Sequence, residues 1–210
     1  AIAIDSSGSV WAGAQNGFLH KFNPQSGTWS YVSDISLRSD PFKRINALQV
    51  YGDTLFILSD IGVSVFSISR MEFGDTYMRF GTLPNQIIGS VTCVLLTWDH
   101  IWVGTRNGVA STPVGNANPS VPESWIVYTT VDGLPSNQVT GLIPIILGPG
   151  DVIEATTSMG FAKFDVQNWK TDSLTYGLNI IDWAKIDPPP CLDCAGLFFI
   201  TPTGLYGRGG

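Results

Sequence analysis

The chain repeats itself at a period of about 45 residues, and this repeat restricts its fold more than any other feature. The units align on a glycine that follows a short turn, as in VWAGAQNG and IWVGTRNG. The anchor glycines are Gly17, Gly62, Gly108, Gly160 and Gly204, with spacings of 45, 46, 52 and 44 residues. Five such units fill the 210 residues. Repeats of roughly 20–50 residues are typical of solenoids and propellers.

Each unit has the composition of several short β-strands. An apolar stretch such as INALQV comes first, a turn follows, and a second stretch carries a large side chain six residues before the anchor glycine. These side chains are Trp11, Phe56, Trp102, Glu154 and Phe198. Four short antiparallel strands per repeat are the pattern of a propeller blade. We therefore predict an all-β fold, a β-propeller of about five four-stranded antiparallel blades, with the aromatic members of this set buried between blades.

The predicted propeller is a single domain over residues 1–210. Its blades cover approximately residues 1–40, 41–85, 86–136, 137–179 and 180–210. The fifth unit has three predicted strands, so we expect the last blade to lack its outer strand or the chain to be part of a larger propeller. The Asn-Gly pairs at 16–17 and 107–108 predict type I′ turns, in which both central residues have φ > 0.

Two stretches, WIVYTTVDGLPSNQVTGLI and IDSSGSVWAGAQNGFLHKFNPQSGTWSYV, resemble the two-component regulator propeller repeats. The family's DGLPSN segment stands at residues 132–137, and GTLPNQII at 81–88 is a weaker match. The resemblance covers essentially the whole chain, although units two, four and five are divergent. It implies a structural repeat of periplasmic sensor regions or of secreted and cell-surface proteins. An exported location, periplasmic or at the cell surface, is the expectation that follows.

Composition disfavours two classes of partner. The formal net charge is −6, whereas nucleic-acid binding needs a basic surface that displaces counterions. No apolar run reaches the length of a membrane-spanning helix. We predict no nucleic-acid partner and no membrane span in this chain.

The titratable residues do not form a catalytic pattern. His20 and His100 fall in different units, and Asp5, Asp53, Asp99 and Asp151 recur at the first turn of a unit, where aspartate is a turn-forming residue. We therefore predict no catalytic residue, no metal site and no cofactor.

Cys191 and Cys194 form a single C-x-x-C. Structural zinc needs four ligands, usually two such pairs. A local disulfide or two reduced thiols is therefore the expected state, and export would favour the disulfide.

Four residues are candidates for ligand binding. Gln15, Asp60 and Arg106 occupy equivalent turn positions, which a propeller places near its axis. A basic cluster, Arg38, Lys43 and Arg44, lies in the long link after unit one on the same side. Glu154 stands where other units have an aromatic residue. Because burial of an unpaired charge is costly, it must meet a partner, reach water or mark a slip in the alignment.

Protein partners are expected at the inserted loops 111–124 and 187–194, or at the open edge near 204–210. The leading hypothesis is a non-enzymatic binding or assembly module of an exported protein. The alternatives are a sensor ectodomain of a two-component signalling protein and a secreted lyase or glycan-active propeller enzyme.

Overall fold

A computed structural model of the chain describes residues 1–115, 118–146, 152–165, 167–186 and 196–209. These residues form 21 strands and two short 3₁₀ turns, η1 (Pro122–Ser124) and η2 (Thr130–Asp132). The all-β prediction is confirmed.

The strands form five small antiparallel sheets in which strand order follows chain order. Blade 1 contains β1 (Ile2–Ile4), β2 (Val10–Gly13), β3 (Leu19–Asn23) and β4 (Thr28–Val32). Blade 2 contains β5 (Ile45–Tyr51), β6 (Thr54–Ser59), β7 (Val63–Ser67) and β8 (Glu72–Tyr77). A two-stranded ribbon, β9 (Arg79–Phe80) and β10 (Ile87–Ile88), leads to the next blade.

Blade 3 contains β11 (Val91–Leu96), β12 (His100–Thr105), β13 (Gly108–Pro113) and β14 (Ile126–Tyr128). Blade 4 contains β15 (Val139–Ile146), β16 (Val152–Thr157), β17 (Gly160–Phe164) and β18 (Trp169–Thr171). Blade 5 contains β19 (Asp182–Ile186), β20 (Gly196–Thr201) and β21 (Gly204–Gly209). The blades are arranged in a ring, so the fold is a five-bladed β-propeller whose last blade has three strands in the described part of the chain.

Apolar clusters between consecutive blades hold the ring together. Trp11 packs into the cluster between blades 1 and 2, Phe56 into the next, and Trp102 into the one between blades 3 and 4. All three are at most 5% exposed, as predicted. A sheet buries only one face against each neighbour, so stacking blades is what covers the second face of each sheet.

Phe198 does not show the predicted packing between blades: it is partly buried, and the cluster between blades 4 and 5 contains Phe199 instead. Its neighbour Phe199 faces blade 4 and is 4% exposed. Because successive strand residues point to opposite faces, Phe198 lies on the face turned away from blade 4.

One face of blade 1 is also exposed. Ala3 packs toward blade 2, and the alternate residues of β1, Ile2 and Ile4, are 72% and 64% exposed. Trp29 and Tyr31 of β4 are 61% and 65% exposed. The two end blades therefore present apolar side chains to solvent.

The predicted type I′ turns are not formed. Arg106 and Asn107 make the turn, and Gly108 already pairs with Thr105 in the ladder of β12 and β13. Neither Asn16 nor Asn107 has positive φ, whereas Gly108 has φ 134°. The Thr105 hydroxyl accepts a hydrogen bond from the Asn107 backbone N–H at 2.9 Å and donates to the Gly108 carbonyl at 2.8 Å. A threonine hydroxyl thus stabilises the turn that was expected to depend on left-handed asparagine.

The anchor glycine is needed for space as well as for conformation. A Cβ atom on Gly108 would lie 2.4 Å from the carbonyl oxygen of Tyr128, and one on Gly160 would lie 2.5 Å from that of Thr175. Such contacts are too close for any side chain, so the repeat retains glycine where the link after the fourth strand crosses this turn.

Candidate functional site

A cavity of about 430 Å³ lies at the end of the ring that carries the turns between second and third strands. All five blades contribute to its wall, so it lies on the propeller axis. Its lining residues are Ala1, Gly13, Gln15, Arg44, Ile45, Asn46, Thr92, Arg106, Thr140 and Ile181. We call it the axial cavity.

Three lining residues, Asn46, Thr92 and Thr140, occupy the same position in successive blades. Each is the second residue of a first strand and falls where the pairing register shifts. A β-bulge leaves its extra residue unpaired and redirects the side chain. The same bulge, repeated three times, therefore places a polar side chain at the cavity wall.

Two of these polar side chains, Asn46 and Thr92, also form hydrogen bonds to the next blade. The Asn46 amide Nδ2 donates to the carbonyl oxygen of Val91 at 3.0 Å, and the Thr92 hydroxyl donates to that of Val139 at 2.9 Å. Thr140 shares a hydrogen bond of 2.9 Å with Thr156. Much of their hydrogen-bonding capacity is thus used within the protein.

The charged part of the wall is basic. Arg44 donates from Nε to Oδ1 of Asn46 at 2.9 Å, and its terminal Nη groups make no hydrogen bond to the residues that the structure describes. Arg106 and Gln15 are exposed, and within the described part of the chain their side chains make no hydrogen bond or ion pair. The described lining residues include two guanidinium groups and no carboxylate.

Of the four candidate ligand-binding residues, the structure brings Gln15 and Arg106 together in the wall of the axial cavity. Asp60 does not line the cavity, although its carboxylate accepts a hydrogen bond from the lining residue Asn46, from Nδ2 at 3.1 Å. Asp60 therefore occupies the turn position equivalent to those of Gln15 and Arg106, but its side chain contacts a lining residue and does not itself line the cavity.

Glu154 lies elsewhere. It belongs to β16, is 3% exposed and pairs in continuous register with Ile143 and Lys163. It is thus the true counterpart of Trp102, and a slip in the alignment is ruled out. Among the four candidates it is the one that the fold places inside an interface between blades, not at the axis.

The remaining titratable residues are dispersed over the blades. His20 lies in β3, and His100 begins β12, where its Nδ1 lies 2.8 Å from Oδ1 of Asp99. Cys93 lies in β11, and burial raises the pKa of its thiol to about 12. A thiol that stays protonated at neutral pH is a poor nucleophile.

Among the described residues, no group of three or more histidine, cysteine or acidic side chains could hold a metal ion. Cys191 and Cys194 lie outside the described residues.

The first inserted loop lies at the opposite end of the propeller from the axial cavity, because it connects β13 to β14. Trp125, the residue that directly follows this loop, is 3% exposed and donates from Nε1 to the carbonyl oxygen of Pro119 in the loop at 2.8 Å. The loop is therefore fixed to the blade by a buried aromatic ring. The second loop, 187–194, lies outside the described residues.

The bulge residues were missed at the sequence level, although a signal for them exists. The first strands begin INALQV, VTCVLL and VTGLIP, with a polar second residue in an otherwise apolar stretch. A polar residue repeated at one position in consecutive units indicates a shared environment, here the axis.

Comparison with known proteins supports the fold. No protein-family model matches the chain, and no curated protein matches it in sequence. Among solved structures, it is similar to PorZ, a bacterial surface component of the type-IX secretion system of Porphyromonas gingivalis, with a TM-score of 0.65 and 18% identity over 99% of the chain. It is also similar to the extracellular domain of BT4673, a putative hybrid two-component system of B. thetaiotaomicron, with a TM-score of 0.64 and 17% identity over 98% of the chain.

Both similar proteins are much longer. The chain spans about a quarter of each, 26% in both cases. These likenesses support the β-propeller fold and go no further than the fold. In the described residues, no helix is long and apolar enough to cross a membrane.

Proposed function

We propose that the chain is a non-enzymatic binding module of an exported or cell-surface protein, and that it takes up its ligand in the axial cavity. The observation that carries this proposal is the cavity itself, to which all five blades contribute. Its volume of about 430 Å³ lies in the range of roughly 300–1,000 Å³ that is typical of small-molecule sites. A rigid β-scaffold that presents turn residues is also the usual setting for recognition.

The chemistry of the wall supports binding rather than catalysis. General acid–base catalysis needs a group that gives or takes a proton near neutral pH. Guanidinium groups do not lose their proton, and amides and hydroxyls do not titrate there. The described side chains of the wall offer only these groups, together with aliphatic ones.

The exported location is proposed on two grounds. The repeat resembles those of periplasmic sensors and surface proteins, and the similar folds are the surface component PorZ and the extracellular domain of BT4673. A sensor ectodomain is the second candidate function, favoured by this second likeness. Its test is the reading frame that follows Gly210: a membrane helix and a kinase there would support it, and a stop codon would contradict it.

Blocking the cavity tests the binding proposal. Gln15→Trp should fill the axial cavity without breaking any hydrogen bond, because Gln15 is exposed and its side chain makes none in the described part of the chain. We expect small polar compounds that raise the melting temperature of the wild-type chain to have no effect on Gln15→Trp. A bound ligand stabilises only the form that binds it.

Gln25→Trp is the control for adding a tryptophan, because Gln25 is an exposed glutamine of the β3–β4 turn at the other end of blade 1. It removes one exposed hydrogen bond, from Gln25 Nε2 to the carbonyl oxygen of Ser7. It should keep the response to ligand, and the compounds should be recovered chemically unchanged after incubation. Stabilisation of Gln15→Trp equal to that of the wild type, or conversion of the ligand, would overturn the proposal.

The edge of blade 5 is the proposed contact for a protein partner. In blades 1 to 4 the third strand pairs with a fourth, whereas β21 pairs only with β20 among the described residues. An unpaired edge is a template for another strand. We propose that an extended strand of a partner protein pairs with β21, as in β-augmentation.

Hydrogen exchange measures this contact directly. In the chain alone, the amides of β21 that face away from β20, one of each adjacent pair such as Leu205 and Tyr206, should exchange much faster than those of the inner strand β12. Protection that appears when the partner binds would support the proposal. Equal protection of β21 and β12 in the chain alone would contradict it.

A further inference from the structure

We infer that the axial cavity selects a small anion, a carboxylate, sulfate or phosphate group carried by a compact polar molecule. This inference rests on the proposed binding function and adds to it the chemical class of the ligand. Three observations carry it: the hydrogen-bonding groups that remain unused, the local charge and the size of the cavity.

The first observation is an inventory of donors and acceptors. Both polar atoms of the Asn46 amide are engaged, Oδ1 by Arg44 and Nδ2 by Val91 and Asp60. Thr92 already donates to backbone carbonyls. The groups left to meet a ligand are chiefly N–H donors: the guanidinium of Arg106, the Nη groups of Arg44 and the amide of Gln15. A wall of donors requires a ligand rich in acceptors.

The second observation is the charge. The chain as a whole has a formal net charge of −6, yet the described wall of the axial cavity carries two arginines and no carboxylate. Asp60 is not among the lining residues, and its carboxylate accepts a hydrogen bond from Asn46 Nδ2. Guanidinium groups present a planar fork that matches the oxygens of carboxylates, sulfates and phosphates. Attraction of this kind is the reason to expect an anion and not a neutral molecule.

The third observation is size and the character of the remaining wall. A volume of about 430 Å³ accommodates a ligand of one or two small rings, not a folded macromolecule. Ile45 and Ile181 add apolar contact, and Thr140 adds a hydroxyl. This combination suits a ring that carries hydroxyl groups and one acidic substituent, such as a sugar acid or a sugar phosphate.

The experiment compares three probes of similar size on the 210-residue chain by isothermal titration calorimetry at low ionic strength. Glucuronate carries a carboxylate, glucose 6-phosphate carries a phosphate, and glucose is neutral. We expect both anions to bind more tightly than glucose, and to bind more weakly as salt is added, because salt screens the attraction between exposed charges.

Two variants locate the effect. Arg106→Gln removes a cavity charge and should weaken binding of both anions about tenfold or more, because a hydrogen bond to a charged group is lost. Arg70→Gln is the matched control, since Arg70 is an exposed arginine on the β7–β8 turn, away from the cavity, and its loss changes the net charge equally. Binding by Arg70→Gln should equal that of the wild type.

The outcomes separate this inference from the proposed function. If glucose binds as tightly as the anions, and binding is blocked by Gln15→Trp but not weakened by Arg106→Gln, the cavity is a binding site and the anion preference is wrong. Equal losses in Arg106→Gln and Arg70→Gln would show only a general charge effect and would also overturn it. If neither anion binds, the inference fails. The proposed function fails if no compound of either charge responds to Gln15→Trp.

Discussion

Replacing Trp11 by alanine should lower the free energy of unfolding by about 3–5 kcal/mol, as expected for removal of a buried aromatic side chain. Trp11 is fully buried, and its ring packs edge-on against Phe66 of blade 2 at a centroid distance of 5.5 Å. Its Nε1 also donates to the Asp5 carboxylate at 2.9 Å. The substitution therefore opens a cavity between two blades and removes a hydrogen bond to a charged group. Chemical denaturation monitored by circular dichroism measures the loss.

Two comparisons separate these contributions. Trp29→Ala, on the exposed face of the same blade, should change stability little, because Trp29 is 61% exposed. Trp102 is equally buried, but its Nε1 has no hydrogen-bond partner in the described part of the chain. Trp11→Phe should therefore cost more than Trp102→Phe, by roughly the value of one charged hydrogen bond. Equal costs for Trp11→Ala and Trp29→Ala would show that blade packing does not depend on the second-strand aromatic.

The fold could be predicted because two kinds of residue recur for physical reasons that do not depend on distant sequence. The second-strand aromatics recur because each sheet must bury a face against its neighbour. Three of the anchor glycines, Gly62, Gly108 and Gly160, recur because a backbone carbonyl oxygen lies where a Cβ atom would be. Each constraint acts in most of the blades, so both appear in the sequence as a period.

Features that depend on the neighbouring blade could not be predicted in this way. Phe198 has the same sequence pattern as Trp102, but its exposure depends on what packs against the outer face of blade 5.

The Asn-Gly pairs suggested left-handed asparagine, because the role of the Thr105 hydroxyl in the turn is not visible in a dipeptide. The Asn-Gly pairs correctly predicted that a turn occurs, but the predicted turn type was wrong.

The candidate site was predicted in part. Equivalent turn positions pointed to Gln15 and Arg106, and both line the axial cavity. Asp60 follows the same sequence pattern, yet its carboxylate is hydrogen-bonded to Asn46 and does not line the cavity. The bulges that bring Asn46, Thr92 and Thr140 to the axis depend on strand register, which sequence alone specifies weakly at the end of a strand.

Replacing Asp5 by alanine should be the second most damaging change. It should lower the free energy of unfolding by about 2–4 kcal/mol, because the buried N–H groups of Ser9 and Trp11 lose their acceptor. The Asp5 carboxylate, 6% exposed, accepts hydrogen bonds from the backbone N–H groups of Ser7 and Ser9 at 2.9 and 3.0 Å. It also accepts from the Ser7 hydroxyl at 2.6 Å and from Trp11 Nε1 at 2.9 Å. The first turn of blade 1 and its interface with blade 2 thus share one acceptor.

Asp53 is the matched control, because it occupies the equivalent first turn of blade 2. Its carboxylate accepts from Ser67 and from the backbone and hydroxyl of Ser69, but these bonds are exposed to solvent. Water can replace the carboxylate there, so Asp53→Ala should cost clearly less than Asp5→Ala. Equal losses would show that the turn requires aspartate for its local conformation and not for the buried network.

The same residue makes stability depend on pH in a defined direction. Burial alone would raise the pKa of Asp5, but the hydrogen bonds from Ser7, Trp11 and Ser9 outweigh it, and the pKa lies below its usual value of 3.8. The folded protein therefore holds this proton less tightly than the unfolded chain does. The stabilisation by Asp5 is complete above the unfolded pKa and disappears as the pH falls through the lower folded pKa. The difference in unfolding free energy between wild type and Asp5→Ala should accordingly be constant from pH 5 to 7 and shrink below about pH 4. A difference that stayed unchanged at acid pH would show that Asp5 acts through its shape and not through its charge.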